Sequence, residues 1–362
     1  MLILGIPWQE ATCLVSIFVL FQFFKRPRRP DQVLLEEYES LMLLDENIMV
    51  SFLVAAWNAS DRIPRFMEAF DKLTLPRKEL ILCCGGGDDT YIEALHFQKS
   101  NIIVIEQLPG QGKQGGLRAG FSYTRGDVIY LTDIDCSPSD NAVYPLIRRL
   151  TMDDEIVAVS GTIKPLPSQI TVPIVRTQWA IERYRSLTNP KLTSGLRGAN
   201  AVVWRDAIEE TGSFSQEAIS GTDYTLAKEI LKHQRKIGFE SKSEMPTEFP
   251  QSLREYASKQ GRWLRNVVIL GKKYEAKDEV RSIYQTFTLS VIPILCGLIS
   301  LLWLPAIWFF DVLVIQMIIN RYHYHRLSKI SFSGAGVFES IIGDWGAVCT
   351  AIYQLVFKQF TW

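Results

Sequence analysis

Hydrophobic residues form two kinds of pattern along this chain. Between residues 48 and about 240, short apolar runs alternate with helix-like stretches. Toward both ends, the apolar runs are long and almost free of charge. The alternation in the middle region predicts successive β-α-β units, and therefore a mostly parallel sheet with right-handed crossovers. The long runs near the ends indicate membrane segments.

The first long run covers residues 2–24 and contains one charged residue, Glu10. Four cations follow it closely, at Lys25, Arg26, Arg28 and Arg29. A signal peptide carries its positive charge before the apolar run, whereas here the charge comes after it. We therefore predict a transmembrane anchor and basic flank at residues 1–30, with residue 25 onward on the cytoplasmic side. A cleaved or interfacial segment is the alternative.

Residues 271–362 form the predicted carboxy-terminal membrane region. No charged residue occurs in the stretch 283–310, which is too long for one straight span and contains Pro293 and Pro305. We predict a hairpin of two membrane helices, at about 283–303 and 305–320, whose basic flank returns to the cytoplasm. The last apolar segment, about 337–358, predicts either an amphipathic helix at the interface or a short third span.

Two carboxylates follow one of the predicted strands in the middle region. Residues 128–131 are β-branched, aromatic and aliphatic, as in a buried strand. Asp133 and Asp135 come next, and residues two apart in an extended chain point to the same side. Ligands of open α/β sheets collect at the carboxyl ends of strands, where paired carboxylates suit Mg²⁺ or Mn²⁺ carrying a diphosphate. Carboxylates that merely face water are the alternative.

Composition narrows the classes of function. Lys+Arg and Asp+Glu both number 39, so the formal net charge is zero. No basic patch is interleaved with aromatic residues, so nucleic-acid binding is not expected. The six cysteines contain no Cys-x-x-Cys pair, which argues against a zinc site or a disulfide framework and favours a reducing compartment. The glycine clusters at 85–87 and 110–116 fit neither the dinucleotide-binding nor the P-loop spacing.

Several segments between residues 48 and 270 resemble those of the family 2 glycosyltransferases with the GT-A fold. On the nucleotide-sugar side, these are residues 50–58, Gly112-Lys113 with Gly120, and Asp133-Ile134-Asp135. Downstream, the similar segments are Arg197-Gly198-Ala199-Asn200 with Arg205 and Gly212, and Gly221-Thr222-Asp223 at the place of the Thr-Glu-Asp motif. The stretch Lys259-Gln260-Gly261-Arg262-Trp263 resembles the Gln-x-x-Arg-Trp motif of membrane-bound members.

Two departures from the family pattern fall in the downstream motifs. Thr222 replaces the glutamate of the Thr-Glu-Asp motif, so only the terminal Asp223 carries over. Gln260 lies two residues before Arg262 instead of three, and Lys259 stands at the expected place.

A third departure concerns recognition of the base. The acidic residue that reads the base in the family falls near Cys84, which cannot perform that role. Asp88 or Asp89 would have to substitute, so the base stays open between uridine and another.

The resemblance implies an α/β fold with a cytoplasmic GT-A domain and transmembrane and interfacial helices at both ends. The domain, built on a Rossmann-like, mostly parallel sheet, would cover residues 45–270. Its nucleotide-sugar half would be 45–140 and its acceptor half 141–270. The protein would then be a multi-pass protein of the bacterial inner membrane, with its active site in the cytoplasm.

The resemblance also implies roles for the matching residues. Asp135 and Asp133 would hold Mn²⁺ or Mg²⁺ at the leaving diphosphate, and Asp223 would be the general base of an inverting transfer. The remaining donor-side residues would be Ala56, Asn58, Asp88, Lys113 and Arg262. The acceptor-side residues would be Asn200, Gln260 and Trp263.

Two of these residues have ordinary structural alternatives. Asp223 lies at the start of a predicted helix, where an acid caps or completes the first turn. Trp263 could anchor the chain at a membrane interface instead of stacking on an acceptor.

Three functions stay open at this point. The first is transfer of a hexose from a nucleotide diphosphate sugar, such as a UDP-sugar, to a membrane lipid. The few predicted spans favour it, because about three spans make a poor channel for a polymer. The second is a processive polysaccharide synthase, for which a homo-oligomer would build the channel. The third is a non-catalytic scaffold that binds the nucleotide sugar.

Overall fold

The computed structural model of the chain describes residues 2–3, 6–7, 47–216, 220–302 and 306–357. The first two pairs form short antiparallel strands, β1 (Leu2–Ile3) and β2 (Ile6–Pro7). The rest of the predicted anchor, residues 1–30, lies outside the described residues. From residue 47 onward the chain divides into two compact units. We call residues 47–168 and 185–249 the sheet unit, and residues 169–184 and 250–357 the helical unit.

The sheet unit contains an eight-stranded sheet. Its strands are β3 (Val50–Trp57), β4 (Lys78–Gly85), β5 (Ile102–Glu106), β6 (Val128–Asp133), β7 (Ile156–Pro165), β8 (Leu192–Thr193), β9 (Ala201–Trp204) and β10 (Lys236–Thr247). Their order is β5-β4-β3-β6-β9-β7-β10-β8. Strand β9 is antiparallel to β6 and β7, and β8 is antiparallel to β10. The other pairs are parallel, which confirms the predicted mostly parallel sheet.

Helices pack on both faces of this sheet. Those described in the sheet unit are α1 (Ile63–Asp71), α2 (Thr90–Leu95), α3 (Gly112–Phe121), α4 (Asp140–Thr151), α6 (Arg205–Glu210) and α7 (Thr222–Lys232). The apolar sides of α1 and α4 bury one core with Phe52 and Val54, whereas α3, α6 and α7 bury a second core with Leu53. Alternate residues of β3 point to opposite faces, and both faces are covered, so this strand is apolar except at Ser51.

The helical unit contains longer helices. They are α5 (Pro173–Thr188, in this unit up to residue 184), α8 (Leu253–Lys273), α9 (Lys277–Ser300), α10 (Ala306–Ser328) and α11 (Gly334–Val356). Helices α8 and α11 approach closely at glycines: a Cβ on Gly343 would lie 2.4 Å from the Tyr256 ring. Asp344 on α11 forms an ion pair with Arg321 and accepts a hydrogen bond from the Tyr256 hydroxyl at 2.7 Å.

Two of these helices, α9 and α11, are long and apolar enough to cross a membrane by length and composition. Helix α9 matches the first half of the predicted hairpin but begins earlier, at Lys277. Helix α10 occupies the second half, and the predicted turn near residues 303–305 lies outside the described residues. The last helix was predicted as an interfacial helix or a short span, and α11 has 23 residues, which is long enough to span.

The boundary of the sheet unit differs from that of the predicted domain. The predicted domain extends to residue 270, whereas the compact sheet unit ends at residue 249. The segment with the Arg-Trp motif lies on α8, in the helical unit. The boundary depends on how α8 packs, and the order of the motifs along the chain does not specify that packing.

Candidate active site

The predicted carboxylates lie at the carboxyl edge of the parallel strands. Asp133 is the last residue of β6, and Asp135 follows in the turn after it. Lys113 is the second residue of α3, and Asp223 is the second residue of α7. These residues come from three separate elements of the sheet unit. The fold brings them to one place because α3 precedes β6 and α7 packs on the same face of the sheet as α3.

Lys113 is the centre of this group. Its Nζ forms an ion pair with Asp133 Oδ1, and about a quarter of the lysine side chain and a third of the aspartate side chain are exposed. Burial alone would lower the pKa of Lys113, but the nearby carboxylates of Asp133, Asp223 and Asp135 raise it above its usual value. One lysine thus serves three carboxylates, and the positive charge persists across the range in which enzymes work.

Asp223 is held by the backbone of the segment that contains Gly198. The Gly198 N–H donates a hydrogen bond to Asp223 Oδ2 at 3.1 Å. A Cβ on Gly198 would lie 3.1 Å from the Asp223 Cβ, so a glycine permits this close approach. Lys113, Thr222 and Asp223 also line one small cavity of about 10 Å³. Of the two structural alternatives for Asp223, the N-cap is instead Gly221 with φ of 80°, whereas the position of an acid in the first turn of the helix is observed.

Asp135 is fixed by a cluster that the sequence motifs did not indicate. Its backbone carbonyl accepts hydrogen bonds from Arg65 Nη2 at 3.1 Å and from the Glu248 N–H at 3.1 Å. Arg65 and Arg62 both form ion pairs with the Glu248 carboxylate, at 2.6 and 2.8 Å. Burial alone would raise the pKa of Glu248, but the hydrogen bonds from Arg62 and Arg65 lower it. Thr247 Oγ1 donates to Asp135 Oδ1 at 3.3 Å.

No local pattern could have shown this cluster. Arg65 and Glu248 are separated by 183 residues, and only the return of β10 beside the turn after β6 brings them together. An Arg at position 62 and another at 65 read, in sequence, as the exposed side of an amphipathic helix.

Asn58 and Asp88, predicted on the donor side, shape the loops at the ends of β3 and β4. Asn58 has a positive φ of 50°, and its Oδ1 accepts a hydrogen bond from the Gly87 N–H at 2.7 Å. The Asp88 carboxylate accepts bonds from the backbone N–H groups of Ser60 and Thr90, at 3.2 and 3.1 Å. Desolvation acts to raise the pKa of Asp88, but these bonds hold it below its usual value. Both residues are exposed, and their contact with a nucleotide stays a prediction.

Two predicted contact residues are instead part of the core. Ala56, predicted to line a base pocket, is fully buried on the face of β3 that carries Phe52 and Val54. Asn200, predicted to contact the acceptor, is fully buried as well. Its Nδ2 donates to the Thr162 carbonyl at 2.8 Å and its Oδ1 accepts from the Tyr130 hydroxyl at 2.5 Å. Both residues are therefore part of the packed interior, and the contacts predicted for them with a ligand stay predictions.

Three predicted residues lie on α8 in the helical unit. Gln260 and Arg262 are partly exposed, and Trp263 is 52% exposed. The roles predicted for them toward the diphosphate and the acceptor stay predictions. Cys84, near the place of the base-reading acid, is fully buried, and burial raises the pKa of its thiol. This agrees with its exclusion from base recognition.

The donor set suits a divalent cation only with help from a substrate. Among the described residues, no group of three or more His, Cys, Asp or Glu side chains is arranged to hold a metal ion. Asp133 and Asp135 supply two carboxylates. Mg²⁺ and similar ions are commonly held by one or two carboxylates together with substrate phosphates, so this pair fits a metal that arrives with a nucleotide diphosphate.

In sequence, the chain is similar to known glycosyltransferases. Residues 51–212 match the model of the family described as Glycosyl transferase family 2. The probable glycosyltransferase YdaM of Bacillus subtilis (strain 168) is 28% identical over 49% of this chain and 46% of its own length. The poly-beta-1,6-N-acetyl-D-glucosamine synthase of Staphylococcus aureus (strain MSSA476) is 28% identical over 33% of this chain and 29% of its own. The chain thus spans less than half the length of these relatives.

A solved structure is similar over nearly the whole chain. The mannosyltransferase PcManGT from Pyrobaculum calidifontis, in complex with GDP-Man and Mn²⁺, has a TM-score of 0.54. It covers 97% of this chain and of its own at 15% identity. At this identity the similarity establishes the shared fold.

Proposed function

We propose that this chain is a glycosyltransferase, whose family 2 match covers residues 51–212, and that it moves a hexose from a nucleotide diphosphate sugar to a membrane lipid. One observation carries the proposal. At the carboxyl edge of the sheet, Asp133, Asp135 and Asp223 lie around Lys113, and this combination of carboxylates with a cation supports the proposal. These are the groups that transfer from a diphosphate leaving group needs.

On the donor side, Asp133 and Asp135 would hold a divalent cation together with the diphosphate. Such an ion neutralises the charge that develops on the leaving group. Lys113 adds a fixed positive charge within the same group of carboxylates. Mn²⁺ accompanies GDP-Man in the solved mannosyltransferase, and a UDP-sugar is the donor we propose here.

On the acceptor side, Asp223 would be the general base. The attacking oxygen forms a bond to the anomeric carbon while the bond from that carbon to the diphosphate oxygen breaks. The hydroxyl proton passes to the Asp223 carboxylate. A single displacement of this kind inverts the anomeric centre. The Gly198 N–H, bonded to Asp223 Oδ2, keeps the carboxylate oriented for this role.

A membrane lipid is the acceptor we favour. Two candidate spans, α9 and α11, would hold the enzyme at the bilayer in a multi-pass arrangement, where a lipid acceptor is concentrated. A processive polysaccharide synthase is the second candidate, favoured by the similarity to the Staphylococcus aureus synthase. It requires a channel for the polymer, which a homo-oligomer would have to build.

The acceptor can be tested with the full chain purified in lipid, Mn²⁺ and a panel of radiolabelled nucleotide sugars. A discrete, organic-soluble product that stops at one sugar supports the lipid transferase. Growth into water-soluble material of high mass would establish the synthase. Donor binding without any product would identify a non-catalytic scaffold.

The role of Asp223 can be tested by Asp223→Asn. The amide cannot accept the proton, so we expect turnover to fall by about 10³-fold or more while the Kd for the donor changes little. Asp206→Asn is the matched control, because Asp206 is an exposed carboxylate near the start of α6. It should leave both quantities unchanged. Equal turnover in Asp223→Asn and wild type would exclude this residue as the base.

A further inference from the structure

A second candidate site lies in the helical unit, where α8 ends and α9 begins. The chain forms an open groove there of about 510 Å³. Its lining residues are Gly271, Lys272, Glu275, Lys277, Val280, Arg281 and Tyr284. None of these residues belongs to the predicted catalytic group, and no motif of the sequence indicated the groove.

The lining of the groove carries more positive than negative charge. Three cations line it, Lys272, Lys277 and Arg281, against one carboxylate, Glu275, while Asp278 and Glu279 of the first turn of α9 are not part of the lining. The side chains of the three cations and of Glu275 are exposed, and none of the three cations forms an ion pair within the described part of the chain. Lys272 Nζ lies 5.7 Å from the centroid of the Tyr284 ring. Three cations that line one groove without forming ion pairs suit a phosphate, which accepts several charge-assisted hydrogen bonds at once.

The surface next to the groove is apolar. Helix α9 begins at Lys277 within the groove and is one of the two candidate spans. Beyond Tyr284 it exposes aliphatic side chains, at Leu289, Ile292, Leu295 and Leu298. At a rise of about 1.5 Å per residue, Leu289 follows Arg281 by roughly 12 Å along the helix. The charged groove and the aliphatic surface therefore succeed each other on the scale of a lipid headgroup and the start of its acyl chains.

We propose that this groove binds the phosphodiester headgroup of an anionic membrane lipid, with the acyl chains along α9. Basic residues at the cytoplasmic end of a membrane helix attract anionic headgroups, and tyrosine favours the same level of the bilayer. The proposal rests on α9 entering the membrane, as the proposed function has it, but not on the transfer reaction. A soluble phosphate would contact the same cations but would make no contact with the aliphatic side chains.

The test is retention of lipid by the full-length protein, purified in detergent and measured by native mass spectrometry. Equal amounts of phosphatidylglycerol and phosphatidylcholine are supplied, and no sugar donor is present. We expect wild type to retain phosphatidylglycerol in preference to phosphatidylcholine. The double variant Lys277→Gln with Arg281→Gln should lose this preference by about fivefold or more. Glu275→Gln removes the one carboxylate of the groove and should strengthen the preference.

The matched control is Arg326→Gln with Lys329→Gln. These two exposed cations follow the other predicted membrane helix, so the control removes the same charge away from the groove. An equal loss in the control would show a general attraction between charges and overturn the proposal. So would displacement of the lipid by inorganic phosphate at the same concentration as the lipid, because the aliphatic surface would then contribute nothing. Because the lipid-retention assay contains no sugar donor, its result does not depend on whether the protein transfers a sugar.

Discussion

The sheet carries one acid–cation cluster at the amino ends of its strands, here called the amino edge, and another at their carboxyl ends. The two clusters are built differently. At the amino edge, Glu79 of β4 is fully buried and its side chain is completely satisfied. It accepts hydrogen bonds from the Ser51 hydroxyl at 2.6 Å, from the Arg125 guanidinium at 2.8 Å and from the Arg125 N–H at 2.5 Å. One carboxylate is matched by one cation.

The carboxyl edge is built differently. Three carboxylates, those of Asp133, Asp135 and Asp223, act on Lys113, and both members of its ion pair with Asp133 are partly exposed. Carboxylates gathered in this way repel one another, which costs stability in the free protein. A site that receives a cation together with its substrate needs such a group of carboxylates.

Exposure thus distinguishes the cluster that stabilises the fold from the cluster that we propose to act in catalysis. Both clusters contain short contacts between acids and cations at strand ends. The satisfied cluster holds β3, β4 and the loop before β6 together. The cluster around Lys113 is partly exposed and is therefore open to a ligand. Exchanging the cation of each cluster for an apolar side chain should therefore give opposite results.

The largest effect is expected for Lys113→Met. Loss of the fixed positive charge should lower turnover by about 10²- to 10³-fold, because such charges act directly on the leaving group. The unfolding temperature should change little, since Asp133 is partly exposed and can be hydrated. Steady-state kinetics and thermal unfolding on one preparation give both numbers. Turnover within threefold of wild type would remove Lys113 from the donor site.

The reverse result is expected for Arg125→Met. Glu79 would keep its bonds to Ser51 and to the backbone but would lose its cation while remaining buried. We expect a loss of about 2 kcal/mol in the free energy of unfolding, below the usual cost for a buried pair because Arg125 is 59% exposed. Turnover per folded molecule should match wild type. A fall in turnover without loss of stability, measured by denaturant titration, would contradict the structural role.

A smaller effect sharpens the comparison at Asp135. Arg65→Ala removes the guanidinium that donates to the Asp135 carbonyl, so the Kd for Mn²⁺ in the presence of donor should rise about fivefold. Arg62→Ala is the matched control, because Arg62 also pairs with Glu248 and carries the same charge near Asp135, whereas the hydrogen bond to the Asp135 carbonyl comes from Arg65. Both variants should lose similar stability. Calorimetric Mn²⁺ titrations that give equal Kd values for the two variants would exclude a positioning role for Arg65.

Much of the fold followed from local pattern. The apolar run at residues 128–131 placed β6 close to its observed bounds, and the alternation of apolar runs predicted the β-α-β order around it. The sheet order did not follow, since β9 inserts antiparallel between β6 and β7. That strand is only four residues long, and its pairing is set by which neighbours its buried side chains meet.

The candidate site was predicted in part for the same reason. Asp133 and Asp135 were placed at a strand end by spacing, and Asp223 and Lys113 by resemblance, and the fold gathers all four. The full burial of Asn200 and Ala56 was not predicted, because burial depends on tertiary packing. Nothing in the sequence showed that Asn200 hydrogen-bonds across three strands.

The sequence by itself determined the strand and helix periods, the family motifs and the apolar character of both ends, because these depend on neighbouring residues. Tertiary structure decided what those residues face. It joined Arg65 to Asp135 and Glu248, and it gathered three carboxylates around one lysine. Contacts of that kind connect residues far apart in the chain, so their geometry exists only after the sheet has formed.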